Sequence, residues 1–259
     1  MESNADLVKV LRNTMRMIRR RGFHGVDLRE QTWIGYLSNP HLGPDYITTR
    51  YDPHASDANI VNRMHQEPVV GEIVTTYVSK PQKTLRVLMS DVFVRVVDGQ
   101  TERCFVYFAP QTDTTLKTGD LTEFLSIYNK TIYQLNFGVI ISAHPMFSSE
   151  VFDSVNPGFR LTHFTDEEIS FDPTAHIYTS PMRILSRSEK AAFLTNPGIK
   201  TLSSMPRVFV NEPTIKYIGA VPDDVIEYEV ESFIPETLLS SELFYRCVRR
   251  PTERKKKVR

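Results

Sequence analysis

Three prolines in the stretch from Met205 to Val230 constrain the fold of this chain more than any other feature of its sequence. Proline fixes its φ angle and has no N–H for a sheet ladder, so Pro206 and Pro213 each begin or interrupt a segment. Pro222 opens a turn, after which apolar and acidic residues alternate over Val225–Val230. We therefore predict two short strands held by prolines, with a half-buried turn of chain after Pro213. The second strand would have an apolar face for a core and an acidic face for water or a basic partner.

The order and spacing of residues in this stretch also form a motif. It reads Met205-Pro206-Arg207-Val208, four residues, Pro213, then Tyr217, Gly219 and Val225-Ile226. This motif resembles the C-terminal signature of the fifth subunit of eukaryotic DNA-directed RNA polymerases, whose archaeal counterpart consists mainly of that domain. Segments that resemble the same family flank the motif in the family's order: His176-x4-Pro181, Leu185-Ser186-x-x-Glu189-Lys190 and Tyr245-Arg246.

The resemblance implies a non-catalytic polymerase subunit whose small α+β C-terminal assembly domain docks on the largest subunit, beside other small subunits. The residues that match the docking motif are Pro206, Arg207, Pro213, Tyr217, Gly219 and Val225. In the family, the N-terminal part is an α/β jaw domain that lies against downstream duplex DNA and contacts its backbone. The candidate DNA-contact residues here are Arg20, Arg21, Thr114 and Lys117. Nucleotide addition would occur elsewhere, on metal held by the large subunits.

Residues 4 to 22 have the pattern of an amphipathic helix. Apolar residues recur at three- and four-residue steps, Asn4 is a suitable cap, and Gly22 is a suitable end. Basic residues gather toward its C-terminal half, where cations complement the helix dipole. Two interpretations stay open: a solvated basic face, or a contact with nucleic acid or an acidic partner. Arg21-Gly22-Phe23 also resembles the Arg-Gly-aromatic sequence that follows the family's first helix.

The rest of the N-terminal region predicts mixed helices and strands. Apolar runs predict strands over Val69–Val78, Leu85–Val97 and Val139–Ala143, and Asp98-Gly99 predicts a hairpin turn into a strand at Arg103–Phe108. Helical periodicity predicts a helix over Gly119–Phe137. This order indicates a compact α/β unit over residues 1–145, the region that matches the jaw.

One loop departs from the family pattern. Tyr107 to Lys117 has the length of a family segment in which a proline-containing turn precedes a lysine near the duplex, but Asp113 stands where the proline would be. A carboxylate beside phosphates weakens contact with DNA, whereas the hydroxyls of this loop and Lys117 can still touch a backbone. A contact with DNA and an ordinary hydroxyl-rich surface loop both stay open.

Residues 146–170 have little periodicity and are interpreted as a linker or insertion. The assembly domain would span residues 171–248. Within it, Ser186-x-x-Glu189 predicts a capping box that opens a short helix, which Asn196-Pro197-Gly198 ends. Residues 235–242 lengthen a hairpin loop that is shorter in the family, and Phe244–Val248 is the predicted last strand.

Charge is distributed unevenly although the formal net charge is zero. Eight acidic residues and one lysine lie between Glu212 and Glu242, and the basic tail, residues 249–259, holds seven lysines or arginines. Such a tail does not fold alone, and nuclear import, phosphate contact or solubility are its open roles. Acidic residues replace family residues at five positions: Asp113, Asp223, Glu227, Glu229 and Glu231. They indicate a divergent lineage, a protist or a large DNA virus. The expected compartment is the nucleus, or a cytoplasmic replication site or virion for a viral protein.

No cofactor, metal site or membrane contact is predicted. The histidines His24, His41, His54 and His65 lack zinc spacing, and no apolar run is long enough to span a bilayer. Cys104 and Cys247 are predicted to be free buried thiols of a soluble intracellular protein. Two other functions stay open: a free-standing nucleic-acid-binding or adaptor protein, and a nuclease-like enzyme for which Asp91 and Glu102 are the nearest candidate carboxylates.

Overall fold

The computed structural model describes residues 4–24, 26–38, 85–111, 115–116, 121, 124–125, 134–146, 160–199, 201–234 and 237–250. Contacts along the chain divide it into two compact units, Met1–Phe171 and Asp172–Arg259. Each unit combines helices with a four-stranded sheet, which confirms the mixed α/β architecture. No helix within these ranges is both long and apolar enough to cross a bilayer.

The N-terminal unit begins with helix α1, Asn4–Arg20, as its periodicity predicts. The apolar stripe is buried and comprises Leu7, Val10, Leu11, Met15 and Ile18. The helix ends where Gly22 adopts φ 79°, with its N–H donating to Arg19 and that of Phe23 donating to Ile18. This pair of bonds satisfies carbonyls of the last turn and requires a left-handed residue, for which glycine is the least strained. Helix α2, Val26–Ser38, packs against α1.

The sheet of this unit has the order β1-β2-β3-β4. Its strands are β1 Asp91–Val97, β2 Gln100–Phe108, β3 Phe137–Ser142 and β4 Arg160–Thr165. β1 is antiparallel to β2, whereas β3 and β4 run parallel to it. Asp98 and Gly99 both have positive φ, 49° and 74°, which is the geometry of a two-residue hairpin turn and confirms that prediction.

The two faces of this sheet pack against different elements. One face carries a core that includes Val94, Phe105 and Ile140 and continues to Leu121 and Phe124. On the other face, the ring of Phe23, which follows α1, meets that of Phe137 edge-on with centroids 5.7 Å apart. Apolar contacts therefore cover the sheet on both sides.

Several predicted elements of this unit have different bounds. The first part of the predicted strand Leu85–Val97 is a helical turn, Leu85–Leu88, and the strand begins only at Asp91. Residues 134–136, predicted to be helical, are not: Gln134 has φ 47°, and the Asn136 side chain accepts from the Arg103 N–H at 2.8 Å. The predicted strand Val69–Val78 lies outside the described residues.

Residues 146–170, interpreted as a linker or insertion, contain regular structure in their second half. Residues 160–165 form β4, paired along its length with β3, and a helical turn, Asp166–Ile169, follows. Thr165 and Glu168 form a capping box at the start of that turn. β4 lacks the alternation of apolar and polar residues that is typical of a strand with one solvent-exposed face, because most of its residues are half-buried.

The C-terminal unit contains a sheet of order β5-β7-β8-β6. Its strands are β5 Met182–Ile184, β6 Arg207–Phe209, β7 Val225–Ile234 and β8 Thr237–Arg249. β7 is antiparallel to both β5 and β8, and β6 is parallel to β8. Residues 237–242, predicted to be loop, instead extend β8, so the hairpin is lengthened by strand rather than by loop.

Two helices of this unit compare differently with their predictions. The helix Arg187–Leu194 opens with the predicted capping box of Ser186 and Glu189, which is confirmed. The segment Pro213–Ile218, interpreted as a half-buried turn of chain, is a six-residue helix with Pro213 in its first turn. Proline is favoured at that position because the first N–H groups of a helix have no partner within it.

Candidate functional site

The motif residues of the C-terminal unit lie on adjacent elements of one sheet and one helix. Pro206 immediately precedes β6, and its carbonyl accepts from the Cys247 N–H of β8 at 2.9 Å. Val225 begins β7 beside the same part of β8. The helix Pro213–Ile218 lies between β6 and β7 in the chain and packs against the sheet through Ile215, in a core shared with Val208 and Ile226.

Burial divides five of the six predicted docking residues into two groups, and the sixth, Gly219, is half-buried. Tyr217 and Val225 are buried, so their side chains hold the unit together and do not face a partner. Pro206, Arg207 and Pro213 are exposed. The candidate contact residues are therefore the exposed ones. The buried ones act by maintaining the fold of the segment from Pro206 to Val225, which is called the frame.

Gly219 ends the Pro213–Ile218 helix in a left-handed conformation, with φ 76°. Its N–H donates to the carbonyls of Ile215 and Lys216, and the Ala220 N–H donates to Ile215 at 3.2 Å. A β-branched residue at this φ is strained because its side chain crowds the backbone. The glycine of the motif thus has a physical role, the reversal of the chain between the helix and the turn before β7.

The turn from Val221 to Asp224 is fixed by carboxylates. Asp224 accepts from the Val221 N–H through Oδ2 at 2.9 Å, and its carbonyl accepts from Val248 at 2.9 Å. Asp223 has φ 72°, and its carboxylate forms an ion pair with Arg249. Aspartate is among the residues that tolerate positive φ, so Asp223, a departure from the family pattern, fits the local backbone.

Glu227 is a second departure from the family pattern. It takes part in a polar cluster on the face of this sheet that does not pack against the Pro213–Ile218 helix. Arg183 donates through Nε to Glu227 and through Nη1 to Glu189, each at 2.7 Å, and the Tyr245 hydroxyl donates to Glu227 at 3.1 Å. The Ser186 N–H, together with Arg183, lowers the pKa of Glu189 to about 2. Burial, followed by the bond to Glu227, raises the pKa of Tyr245. No sequence motif marks Arg183, and the family-like segment Tyr245-Arg246 does not indicate this contact. The available signal is the charge and hydroxyl complementarity of the two residues to Glu227.

Exposed apolar side chains mark further candidate contact points that no sequence motif indicates. Ile177 and Tyr178 are each 86% exposed. They occupy a turn that is closed by a bond from the Thr179 N–H to the His176 carbonyl at 2.8 Å, and the Thr179 hydroxyl donates to Pro173 at 2.9 Å. Other large exposed apolar residues of this unit are Phe209, Leu243 and Phe244.

Two of the predicted DNA-contact residues, Arg20 and Arg21, differ in their exposure to solvent. Arg20 is exposed, whereas Arg21 is buried with its guanidinium 5.8 Å from the ring centre of Phe164. Thr114 and Lys117 lie outside the described residues. Arg21 in this arrangement stabilises the packing of α1 on the sheet and leaves Arg20 as the exposed member of the pair.

Three arginines lie at the same end of this sheet, a grouping that was not predicted. Arg95 stacks between the rings of Phe23 and Phe137, with centroids 4.7 Å and 4.8 Å away, and forms an ion pair with Glu102 at 2.8 Å. The strand register places Arg103 of β2 and Arg160 of β4 near that end as well. Their distances along the chain explain why no local sequence pattern reveals them.

The candidate nuclease carboxylates are not brought together. Asp91 pairs with Val106 in the β1–β2 register, whereas Glu102 pairs with Arg95, four residues along β1. At about 3.4 Å per residue, that separation is roughly 14 Å. Asp91 is buried, which raises its pKa well above the usual value, and its Oδ1 accepts from the Val92 N–H. Among the described residues, no group of three His, Cys, Asp or Glu is placed to hold a metal ion.

Comparisons with known proteins concern the C-terminal unit. Residues 171–248 match the family described as RNA polymerase Rpb5, C-terminal domain. A stretch of 62 residues is 36% identical to the DNA-directed RNA polymerase subunit Rpo5 of Pyrococcus abyssi (strain GE5 / Orsay), which covers 24% of this chain and 74% of that protein. The resemblance inferred from the proline-bracketed motif is confirmed by both matches, and the chain belongs to the Rpb5 family.

Proposed function

We propose that this protein is a non-catalytic subunit of a multisubunit DNA-directed RNA polymerase. The observation that carries the proposal is that the Rpb5-type motif forms one continuous frame within the unit that matches the family. In that frame, Pro206 is hydrogen-bonded to β8, Pro213 starts a helix, and Gly219 reverses the chain. Catalysis of nucleotide addition then belongs to other subunits.

The C-terminal unit docks on the largest subunit and lies near other small subunits. Exposed residues around the frame supply the contacts: Pro206, Arg207, Phe209 and Pro213. Proline and aromatic side chains bury apolar area with little loss of conformational freedom, which suits a long-lived interface. Tyr217 and Val225 support this surface from inside the unit.

The N-terminal unit acts as a jaw that guides downstream duplex DNA through contacts with its backbone. Arg20 is an exposed basic residue at the end of α1, and Thr114 and Lys117 are the candidate contacts of the loop. Contacts of this kind position the duplex and carry no sequence information. With this activity, we expect the protein in the nucleus, or at a viral replication site if the gene is viral.

Affinity purification of the tagged full-length chain from its own cells tests the proposal. The wild-type chain should recover the largest polymerase subunit in equimolar amount, identified by mass spectrometry. Gly219→Val should release it because valine is strained at φ 76°. Gly198→Val is the matched control, since a Cβ at Gly198 meets only the Asn196 side chain at 3.6 Å. Recovery of the wild-type chain without polymerase subunits would refute the proposal.

A second variant separates the frame from the surface. Tyr217→Asp places a carboxylate in a buried position and should also release the chain, whereas Arg207→Ala changes only an exposed side chain. Circular dichroism of each purified variant shows whether a loss of docking follows a loss of fold. Docking that survives both Gly219→Val and Tyr217→Asp would show that the frame is irrelevant to it.

A further inference from the structure

The β7–β8 hairpin is longer than the sheet to which it belongs. β5 pairs only with Ile226–Tyr228 and β6 only with Cys247–Arg249, whereas the pairing of β7 with β8 continues to Ile234 and Thr237. One more bond, from the Glu229 N–H to Pro181 at 2.9 Å, extends the β5 side. Among the described residues, the remainder of the hairpin is a two-stranded ribbon. Such ribbons are marginally stable in water unless another element covers or extends them.

The hydrogen bonds at the base of the hairpin show which backbone groups of β8 point outward. The Cys247 N–H donates away from β7, to Pro206 of the neighbouring segment, whereas the Val248 N–H donates to Asp224, the residue before β7. Backbone groups of a strand alternate in direction, so the N–H and C=O of Tyr245 and Leu243 also point away from β7. Leu243 lies opposite Glu229, whose N–H points outward on its own side, as this alternation requires.

We call this outer edge, from Thr237 to Arg246, the β8 edge. Within the described residues no strand pairs with it. It contains no proline and no lysine, the residues that commonly block an exposed edge. Leu243 and Phe244 on it are 52% and 48% exposed. An unblocked edge with exposed apolar side chains is the usual template for addition of a strand.

The charge of the ribbon selects among partners for the β8 edge. Between residues 229 and 245 the chain has four glutamates and no basic residue: Glu229, Glu231, Glu236 and Glu242. These carboxylates repel the phosphates of nucleic acids and attract lysine and arginine. The occupant that fits both the edge and its charge is an extended, basic protein segment.

We propose that the β8 edge accepts an extended, basic segment of another polymerase subunit as an additional strand. The added strand hydrogen-bonds to the outward backbone groups of Leu243 and Tyr245, and its basic side chains lie near Glu229 and Glu242. This proposal rests on the proposed function, because it takes the partner to be part of the polymerase. The added strand would give the unit a second attachment point, in addition to the proline-bracketed frame. This point lies on the hairpin that residues 237–242 lengthen.

A pair of substitutions at one position tests strand addition directly. Leu243→Pro removes the outward N–H and places a ring in the path of an added strand, yet it removes no bond to β7. Leu243→Thr removes the same apolar side chain and keeps the N–H. Each tagged full-length variant is expressed together with an untagged wild-type copy. Quantitative mass spectrometry then measures its share of polymerase, that is, the fraction of polymerase that contains the tagged variant rather than the wild-type copy.

Strand addition predicts that Leu243→Pro lowers the share of polymerase by about tenfold, the effect of roughly 1.4 kcal/mol, while Leu243→Thr stays near the wild-type share. Equal loss in both variants would overturn strand addition in favour of side-chain contact, and equal retention would overturn any role of the edge. If even the wild-type chain does not co-purify with polymerase, the proposed function fails. This result differs from the one in which the Leu243→Pro variant still binds polymerase, which overturns strand addition alone.

Hydrogen exchange of the wild-type chain gives a second measurement that does not depend on the folding of a variant. In the free chain, the amides of Leu243 and Tyr245 should exchange much faster than that of Val248, which is bonded to Asp224. In the purified polymerase, both amides should become protected by at least about tenfold, which corresponds to roughly 1.4 kcal/mol. Unchanged exchange in the complex would overturn the proposal.

Discussion

Arg183 of β5 donates a 2.7 Å hydrogen bond to Glu227 of β7, directly across the strand pair. The two residues are 44 positions apart in the chain, and their contact ties the start of the C-terminal unit to its central hairpin. The glutamate at this position, which departs from the family's basic pattern, is therefore matched by an arginine on the neighbouring strand. A family-typical basic residue here would face Arg183 with like charge.

Glu227→Gln should lower the stability of the protein. Glu227 is mostly buried between Arg183 and Tyr245, so its neutralisation weakens two hydrogen bonds, although solvent screens the exposed end of Arg183. The expected loss in the free energy of unfolding is about 1 kcal/mol. Urea denaturation measures it, with Glu229→Gln, at an exposed position of the same strand, as the control. Equal stability of the two variants would contradict the assigned role of Glu227.

Glu189 should make acid stability depend on its carboxylate. Its pKa is lowered from 4.5 to about 2 by bonds from the Ser186 N–H and Arg183. A depressed pKa in the folded state means that the contribution is complete above pH 4.5 and is lost as the pH falls toward 2. Glu189→Gln should therefore flatten the fall in urea midpoint across that window. An unchanged pH profile in the variant would be inconsistent with this carboxylate as a source of acid sensitivity.

Arg86 and Asp166 form a bidentate ion pair within the N-terminal unit, and the Arg86 side chain is only 2% exposed. Asp166→Asn should cost about 3–5 kcal/mol of unfolding free energy because it takes a counter-charge away from a buried guanidinium. The double variant Arg86→Met with Asp166→Asn should cost less than the sum of the two single variants. A double-mutant cycle by urea denaturation measures this coupling, and strict additivity would argue against an energetic link.

Both cysteines should be unreactive in the folded protein. Cys104 and Cys247 are free and buried, and burial raises the pKa of Cys104 to about 12. Burial also raises the pKa of Cys247. Because the thiolate is the reacting form, a disulfide reagent at pH 8 should label neither thiol until denaturant is added. Rapid labelling of either thiol in the native protein would contradict the observed packing.

Local signals account for the parts of the fold that the sequence predicted well. The capping box of Ser186 and Glu189 and the Asp98-Gly99 turn depend on backbone geometry within a few residues, so their patterns are specific. The motif around Tyr217 and Gly219 is recognisable from its resemblance to the family, and the structure gives a reason for its glycine, because Gly219 has a left-handed φ that few residues tolerate.

Long-range and ambiguous signals account for the errors. A helix as short as Pro213–Ile218 places Ile215 and Tyr217 in a two-residue alternation that is also typical of extended chain, and only the tertiary core distinguishes the two. β4 is recognisable only from its pairing with β3, and the polar residues 237–242 resemble a loop until they are paired with β7. The split between exposed and buried docking residues likewise depends on contacts between distant segments.

The most direct test of the central claim is the distribution of the endogenous chain between free and polymerase-bound pools. Sedimentation of a native extract, followed by quantitative mass spectrometry of every fraction, measures both pools without overexpression. We predict that most of the chain sediments with the largest polymerase subunit in equimolar amount, and that the Gly219→Val protein moves to the free pool. A wild-type chain found mainly in the light fractions, apart from the polymerase, would contradict this claim.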